Sequence, residues 1–184
     1  MMKILATLLV AMTLAFASPV QAENKAVSPA PAVKSVEKQA PSGVWAVRCD
    51  DPKAGKAKHC EVFQRLSITK KGSKEPKRLV EFAIGYKADS KKKDADGILI
   101  LPLGVLVTEP VAIEIDEKKD FAAQVRYCDA NGCYAFAEIP AAMMEKMVKG
   151  NKLVVKARAA NGHNVNIVMS LAGLGAALDK IKSP

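Results

Sequence analysis

The sequence "YCDANGCY", Tyr127 to Tyr134, places two cysteines on either side of an Asn-Gly turn. Asn-Gly between strand-like segments is the strongest short-range signal for a β-hairpin. The flanking segments here, "FAAQVRY" and "YAFAEI", both have strand character. A disulfide between Cys128 and Cys133 would join the two strands at their tip. The stretch therefore predicts a stapled hairpin in an antiparallel β protein.

A metal site and a redox centre are the two competing interpretations of these cysteines. Structural zinc sites take their ligands in short pairs such as C-x4-C, but the other cysteine pair is C-x10-C, and His59 and His163 show no ligand spacing. A thioredoxin-like centre requires C-x-x-C at the start of a helix, where the thiol pKa is lowered. Four residues intervene here, and the flanks are strands. The spacing favours structural disulfides and predicts no bound metal or cofactor.

The N-terminus predicts export. Met1 to Lys3 is a short basic start, Ile4 to Phe16 is an uncharged apolar run, and Val20 to Ala22 offers a cleavage site. This pattern is typical of a secretory signal peptide over residues 1–22. The apolar run is too short to span a bilayer comfortably, and no second membrane segment follows. We therefore expect an exported or secreted protein.

Export also changes the expected state of the four cysteines, because an oxidising compartment favours paired thiols. Four cysteines allow three connectivities. The spacing favours two local bridges, Cys49–Cys60 and Cys128–Cys133. Chain-entropy arguments give about 3 kcal/mol for the first loop and about 2 kcal/mol for the second.

The mature chain divides into a tail and a domain. Residues 23–41 are rich in Pro, Ala, Ser and Lys and contain no aromatic residue that could anchor them in a core. Residues 42–184 are long enough for one well-buried core and too short for two ordinary domains. We therefore expect a flexible tail followed by a single domain.

Within that domain the apolar segments mostly have strand character, and Asn161-Gly162 marks a second hairpin. Two segments predict helices: one follows Pro140 and carries a methionine stripe that we assign to the core, and one covers Leu171 to Ile181. The predicted class is mainly β, an antiparallel β-sandwich of about nine strands with one or two short helices. The predicted strands cover residues 44–49, 60–68, 78–86, 97–105, 111–116, 121–128, 133–139, 152–160 and 163–171.

The search for catalytic groups is mostly negative. A nucleophilic triad requires a hydroxyl, a base and an orienting acid that converge, and with two histidines in the chain there are few ways to build one. His59 beside Cys60 suggests a thiolate pair only if Cys60 is reduced. We predict a non-enzymatic protein, with a periplasmic hydrolase of unrecognised site as an alternative.

The charge distribution says more about function than the search for catalytic groups does. Lys and Arg number 28 against 19 acidic residues, a net charge of +9. The excess is concentrated in connectors such as "TKKGSKEPKR" and "YKADSKKKDAD". Solubilising loops are the simplest interpretation. The functional interpretation is that these loops share one end of the sandwich and form a cationic face. The candidate ligand-binding residues are Lys70, Lys71, Lys74, Lys77, Arg78, Lys91, Lys92 and Lys93.

Such a face would attract an anionic partner, whether a lipid head group, an acidic glycan or an acidic protein. Peripheral association with a membrane is compatible with it. Nucleic acid is not expected as a partner, because export removes the usual target. Aromatic residues are also too sparse near the basic runs to stack on bases.

The order of several motifs resembles the invasion-associated locus B family. "GVWAVRC", "HCEVFQ", "LPLGV", "EPVAIEID", "YCDANGCYA", "KGNKLVVKA" and "IVMSLAGLGAAL" follow one another between about Gly43 and Leu178. The resemblance implies a small exported protein of Gram-negative, largely alphaproteobacterial cells, periplasmic or at the outer membrane and linked in some pathogens to host-cell invasion. It implies no catalytic residues. We therefore expect an envelope binding or accessory protein, with a chaperone-like or complex-forming subunit as a further alternative.

Overall fold

The computed structural model describes residues 43–50, 59–69, 71–72, 74–87 and 93–182. These residues form nine β-strands and two α-helices, which confirms the predicted mainly β class. The strands are β1 Trp45–Cys49, β2 Cys60–Ile68, β3 Lys77–Tyr86, β4 Ala95–Leu101, β5 Val111–Ile115, β6 Lys118–Asp129, β7 Gly132–Ile139, β8 Lys152–Arg158 and β9 Asn164–Ser170. The helices are α1 Ala141–Lys149 and α2 Leu174–Lys182. The predicted signal peptide and tail lie outside the described residues.

All neighbouring strands are antiparallel and form one curled sheet in the order β1-β2-β3-β4-β7-β6-β5-β8-β9. Two hydrogen bonds connect β1 and β2, at one side of this sheet, to β9 at its other edge. The indole N–H of Trp45 in β1 donates to the carbonyl oxygen of Ser170 in β9 over 2.9 Å, and the side-chain amide of Gln64 donates to the same oxygen over 2.9 Å. The first and last strands are thereby held together across the core.

The core follows from the alternation of strand side chains between the two faces of the sheet. In β3, Val80, Phe82 and Ile84 are buried in the common core, and the side chains between them occupy the other face, called here the outer face. The helices add Met144 and Met147 from α1, which confirms that the methionine stripe belongs to the core. Helix α2 contacts β1 and β2.

Both predicted disulfides are present. Cys49 lies opposite Cys60 in the β1–β2 pair, and Cys128 lies opposite Cys133 in the β6–β7 pair. The Cα atoms of each pair are 4.0 Å apart, as expected where directly opposed residues do not exchange backbone hydrogen bonds and side chains are closest. Each bridge therefore links two neighbouring strands.

The hairpin is confirmed, but its turn lies one residue earlier than the sequence predicts. Asp129 already pairs with Gly132, so the loop residues are Ala130 and Asn131. Gly132 has a φ of 144°, and a Cβ there would press against the carbonyl oxygen of Leu101 in β4. The glycine is thus required for the close approach of β4 rather than for the centre of the turn.

Two other predicted boundaries change for local reasons. The strand expected over residues 97–105 begins at Ala95 and ends at Leu101, because Pro102 lacks an N–H and Gly104 has a φ of 92°. Strand β6 begins before the predicted Phe121, because a tight turn at Asp116 and Glu117 leads directly into it. No helix among the described residues is long and apolar enough to cross a membrane.

The strands β1, β2, β3, β4, β7 and β6 share two ends that position the functional residues. The hairpin end holds the close of β2, the start of β3 and the β6–β7 turn. The helix end holds the Cys49–Cys60 bridge, the close of β3, the start of β4 and the start of α1. At about 3.3 Å per residue, the ten residues of β3 separate the two ends by roughly 30 Å.

Candidate functional site

The predicted ligand-binding residues are divided between the two ends of the sheet. Lys71, Lys74, Lys77 and Arg78 lie at the hairpin end, in and beside the β2–β3 connector. Lys93 lies at the helix end, just before β4. The expectation that both connectors form one cationic face is therefore wrong, because they leave opposite ends of β3. Lys70, Lys91 and Lys92 lie outside the described residues.

The three lysines of the hairpin end are exposed, and no ion pair joins Lys71, Lys74 or Lys77 to an acidic side chain within the described part of the chain. Arg78 beside them is partly buried, and its guanidinium donates to the carbonyl oxygen of Asn131 over 2.6 Å. This bond connects the β2–β3 connector to the hairpin turn. The hairpin end therefore presents three exposed lysines with no ion-pair partner in the described part of the chain, next to an arginine bound to the hairpin turn.

Lys93 lies in a different environment. It borders a cleft of about 370 Å³ between the start of β4 and the two helices, together with Tyr86, Met144, Lys149 and Lys182. Lys149 is 3.8 Å from Glu145 and Lys182 is 3.1 Å from Asp179, so acidic neighbours offset two of the cations. The helix end is thus less strongly cationic than the number of its lysines suggests.

A buried carboxylate organises the outer face of β1, β2 and β3. Glu81 is only 1% exposed and accepts hydrogen bonds from Arg48 and Arg65, each over 2.7 Å, with Arg78 at 3.9 Å. Burial alone would raise the pKa of Glu81, but the bonds from Arg65 and Arg48 outweigh it and hold the pKa below the ordinary glutamate value. At neutral pH Glu81 is therefore ionised, and its hydrogen bonds hold Arg48 and Arg65 in place.

Phe63 lies beneath this network on β2. The guanidinium of Arg48 stands 4.7 Å from the ring centroid, and that of Arg65 stands 6.0 Å from it. Arg48 also forms an ion pair with Glu61, so its guanidinium contacts two carboxylates as well as the ring. The arginines are consequently preorganised by packing as well as by charge.

An aromatic strip occupies the outer face of the hairpin. The rings of Tyr127 and Tyr134 stack with their centroids 4.6 Å apart, and Phe136 lies 6.2 Å from Tyr127. The guanidinium of Arg126 lies 5.3 Å from the centroid of Phe136. A β-bulge between Val125 and Tyr127 interrupts the pairing at this point, and such bulges re-aim side chains. Tyr127 remains 52% exposed.

The strip leads into a groove of about 420 Å³ that crosses β2, β3, β4, β7 and β6 on the outer face. Phe136 and Arg126 form part of its wall, and Gly85 leaves room on its floor. Asp96 and Glu138, opposite each other in the β4–β7 pair, also border it.

Ion pairs hold the acidic side chains that border the groove. Lys87 lies 3.4 Å from Asp96 and 3.8 Å from Glu138. Glu61 is paired with Arg48. The groove therefore combines an aromatic wall with carboxylates that already have cationic partners.

Sequence reasoning missed both the groove and the strip. The aromatic residues of "YCDANGCYAF" were visible, but only the pairing of β6 with β7 places Tyr127 opposite Tyr134. An alternation of Tyr134 and Phe136 along β7 was the available signal, because residues two apart in a strand share a face. The carboxylates that border the groove come from separate strands, so no local sequence motif predicts that they lie together.

Comparison with known proteins places this geometry in a known fold. The model of the family described as invasion associated locus B (IalB) protein matches residues 45–182. The crystal structure of invasion associated protein B from Bartonella henselae is similar, with a TM-score of 0.64 and 23% sequence identity over 77% of this chain and 92% of that one. At this identity the likeness shows the fold alone. No curated protein matches the chain.

Proposed function

We propose that this chain, which belongs to the invasion associated locus B family, is an exported, non-enzymatic binding protein of the cell envelope. Its partner is an anionic component of the envelope or of a host surface. The observation that carries the proposal is the group of exposed cations Lys71, Lys74 and Lys77 at the hairpin end, which have no ion-pair partner among the residues that the structure describes. A surface of this kind attracts lipid head groups, acidic glycans or acidic proteins through its field.

The local structure supports the proposal because paired strands hold both ends of the connector that carries these lysines. The connector joins two neighbouring strands, and Arg78 ties its far end to the turn of the hairpin. A cluster of like charges repels itself, and a bound anion relieves that repulsion. Such attraction weakens as salt rises, because exposed charges are screened within about 10 Å at 0.1 M ionic strength.

The test is binding across a salt series with two charge-matched variants. The protein, expressed from its full sequence and purified from the periplasm, is floated with vesicles containing phosphatidylglycerol and captured on heparin beads. The variant Lys71→Glu/Lys74→Glu/Lys77→Glu removes the hairpin-end cations. The control Lys118→Glu/Lys119→Glu/Lys180→Glu changes three exposed lysines elsewhere that have no ion-pair partner among the described residues.

Both variants change the net charge equally, so only position distinguishes them. At about 1 kcal/mol for each lysine near an anionic surface, the first variant should bind about a hundredfold more weakly, and the control should stay near wild type. An equal loss of affinity in both variants would show that net charge, and not the position of the lysines, determines binding. Binding that does not weaken as salt rises, or no binding to either the vesicles or heparin, would refute the proposal.

The absence of catalysis is part of the same proposal. The groove brings Asp96, Glu138 and His59 to one surface, which is where a hydrolase would have its centre. The two carboxylates share Lys87 as an ion-pair partner, so an ion-pair network accounts for their position without a catalytic role. Incubation of the protein with its bound ligand, followed by mass analysis, should recover the ligand intact; cleavage that Glu138→Gln abolishes would establish the enzyme instead.

A further inference from the structure

The groove and the aromatic strip have a character that the cationic connector does not explain. Three carboxylates, those of Glu61, Asp96 and Glu138, border the groove, and the one arginine that lines it is Arg126. This lining has no excess of positive charge, so it does not attract an anion as the lysines of the hairpin end do. A ligand of the outer face therefore differs in chemistry from a ligand of the hairpin end.

The charges around the groove are nevertheless close to balance. Glu61 is paired with Arg48, and Asp96 and Glu138 lie near Lys87. A cationic ligand would have to compete with these resident cations for the carboxylates. A neutral ligand with hydroxyl groups can instead donate hydrogen bonds to oxygen lone pairs that the ion pairs leave open, since a carboxylate accepts at about four positions.

The aromatic strip supplies the second half of such recognition. The C–H faces of a sugar ring are apolar and pack flat against an aromatic side chain, while its hydroxyls point sideways to polar neighbours. Tyr127 is 52% exposed and is held in position by stacking on Tyr134. Phe136 contacts Tyr127 and also lines the groove, so the strip and the groove form one continuous surface.

We propose that this outer face, from Tyr127 through Phe136 to the carboxylates of Asp96 and Glu138, is a binding site for a neutral oligosaccharide. The stacked tyrosines form a platform for one sugar ring, and the groove takes the next ring against its paired carboxylates. The groove volume of about 420 Å³ lies within the usual range for small-ligand sites. The site is separate from the lysines at the hairpin end and goes beyond the proposed function.

Two features of the backbone shape this surface, the bulge beside Tyr127 and the glycine at position 85. The bulge beside Tyr127 places Arg126 against the face of Phe136 and leaves the tyrosine free to stack. On the groove floor Gly85 has no side chain, and a Cβ there would meet the ring of His59 at 3.5 Å, an ordinary contact. A larger side chain at Gly85 would therefore extend into the groove without a backbone clash.

Saturation-transfer NMR and titration of the full protein test the proposal with four probes. They are N-acetylglucosamine tetramer and cellotetraose, which are neutral, galacturonic acid tetramer, which is anionic, and tetralysine, which is cationic. We expect a neutral probe to bind with little dependence on salt. Tyr127→Ala should weaken it about tenfold, the upper value for loss of an aromatic stacking contact, and Gly85→Leu should abolish it by filling the groove.

Two controls keep the result interpretable. Val168→Ala shortens another exposed apolar side chain, 58% exposed on β9, and should leave saccharide binding unchanged. The lysine variant Lys71→Glu/Lys74→Glu/Lys77→Glu should also bind the neutral probe normally, which separates this site from the anion site. Should Gly85→Leu fail to fold, Tyr127→Ala still decides the matter. The proposal is overturned if neither neutral probe binds, if Tyr127→Ala binds as well as wild type, or if only galacturonate or tetralysine binds.

Discussion

Replacing Glu81 by Gln should destabilise the protein by about 3 kcal/mol at neutral pH. Glu81 is 1% exposed and accepts charge-assisted bonds from Arg48 and Arg65, each over 2.7 Å. Such bonds contribute about 1.5–3 kcal/mol each, and breaking a buried pair costs about 3–5 kcal/mol. Glutamine keeps one acceptor but points an N–H₂ group at a guanidinium. Because both arginines reach solvent in part, the loss should fall at the lower end of these values.

The measurement is urea unfolding of wild type and Glu81→Gln at several pH values with the disulfides intact. The folded pKa of Glu81 lies below the ordinary value of 4.5, so its ionised form stabilises the fold above that pH. As pH falls through the folded pKa, the wild type loses this contribution and the two unfolding curves should converge. At neutral pH the thermal midpoint of the variant should be lower by about 10 °C.

Glu138→Gln is the matched control for the same charge change. The side chain of Glu138 is 86% exposed and its nearest cation, on Lys87, is 3.8 Å away. Exposed pairs contribute about 0–1 kcal/mol, so this variant should unfold close to wild type. If Glu81→Gln is as stable as Glu138→Gln, or if its deficit stays constant down to about pH 3, the reasoning about the buried carboxylate is wrong.

Other substitutions probe the elements that shape the sheet. Gly132→Ala should destabilise the fold by about 1–3 kcal/mol, because its Cβ would press on the carbonyl of Leu101; an unchanged urea midpoint would contradict this. Trp45→Phe removes the bond to Ser170 that joins the sheet edges and should cost about 1–3 kcal/mol, visible as lower protection of edge amides in hydrogen exchange. Replacing both cysteines of the hairpin bridge by serine should lower the free energy of unfolding by about 2 kcal/mol, and intact mass should show no free thiol in wild type.

Most of the strands were predictable from the sequence because their signals are local. Cys60–Ile68 has the predicted bounds, and the stapled hairpin is identified by its own residues. The turn at Asp116 and Glu117 was not predictable in this way. Both residues have positive φ, at 46° and 71°, although neither is a glycine. The side chain of Asp116 accepts bonds from the backbone N–H groups of Asn151 and Lys152, so a distant segment stabilises the turn.

The candidate sites were less predictable, because they depend on which strands become neighbours. Nothing local specifies that β4 pairs with β7, although this pairing sets Asp96 beside Glu138 and opens the groove. The buried Glu81 appears in the sequence as one acidic residue in an apolar strand. Its arginine partners lie 33 and 16 residues away along the chain and meet it only in the folded sheet.

One part of the charge distribution did follow from the strand assignment alone. Connectors that flank the same strand of an antiparallel sheet leave its opposite ends, so Lys77 and Lys93 could not share a face once β3 was recognised between them. Counting basic residues along the chain therefore overstates their clustering in space. Ion pairs bring the groove on the outer face near to neutrality, and the exposed Tyr127, beside the β6–β7 turn, belongs to the aromatic strip that leads into that groove. A salt-sensitive interaction at the hairpin end and a salt-insensitive one on the outer face can thus exist on the same protein without interfering.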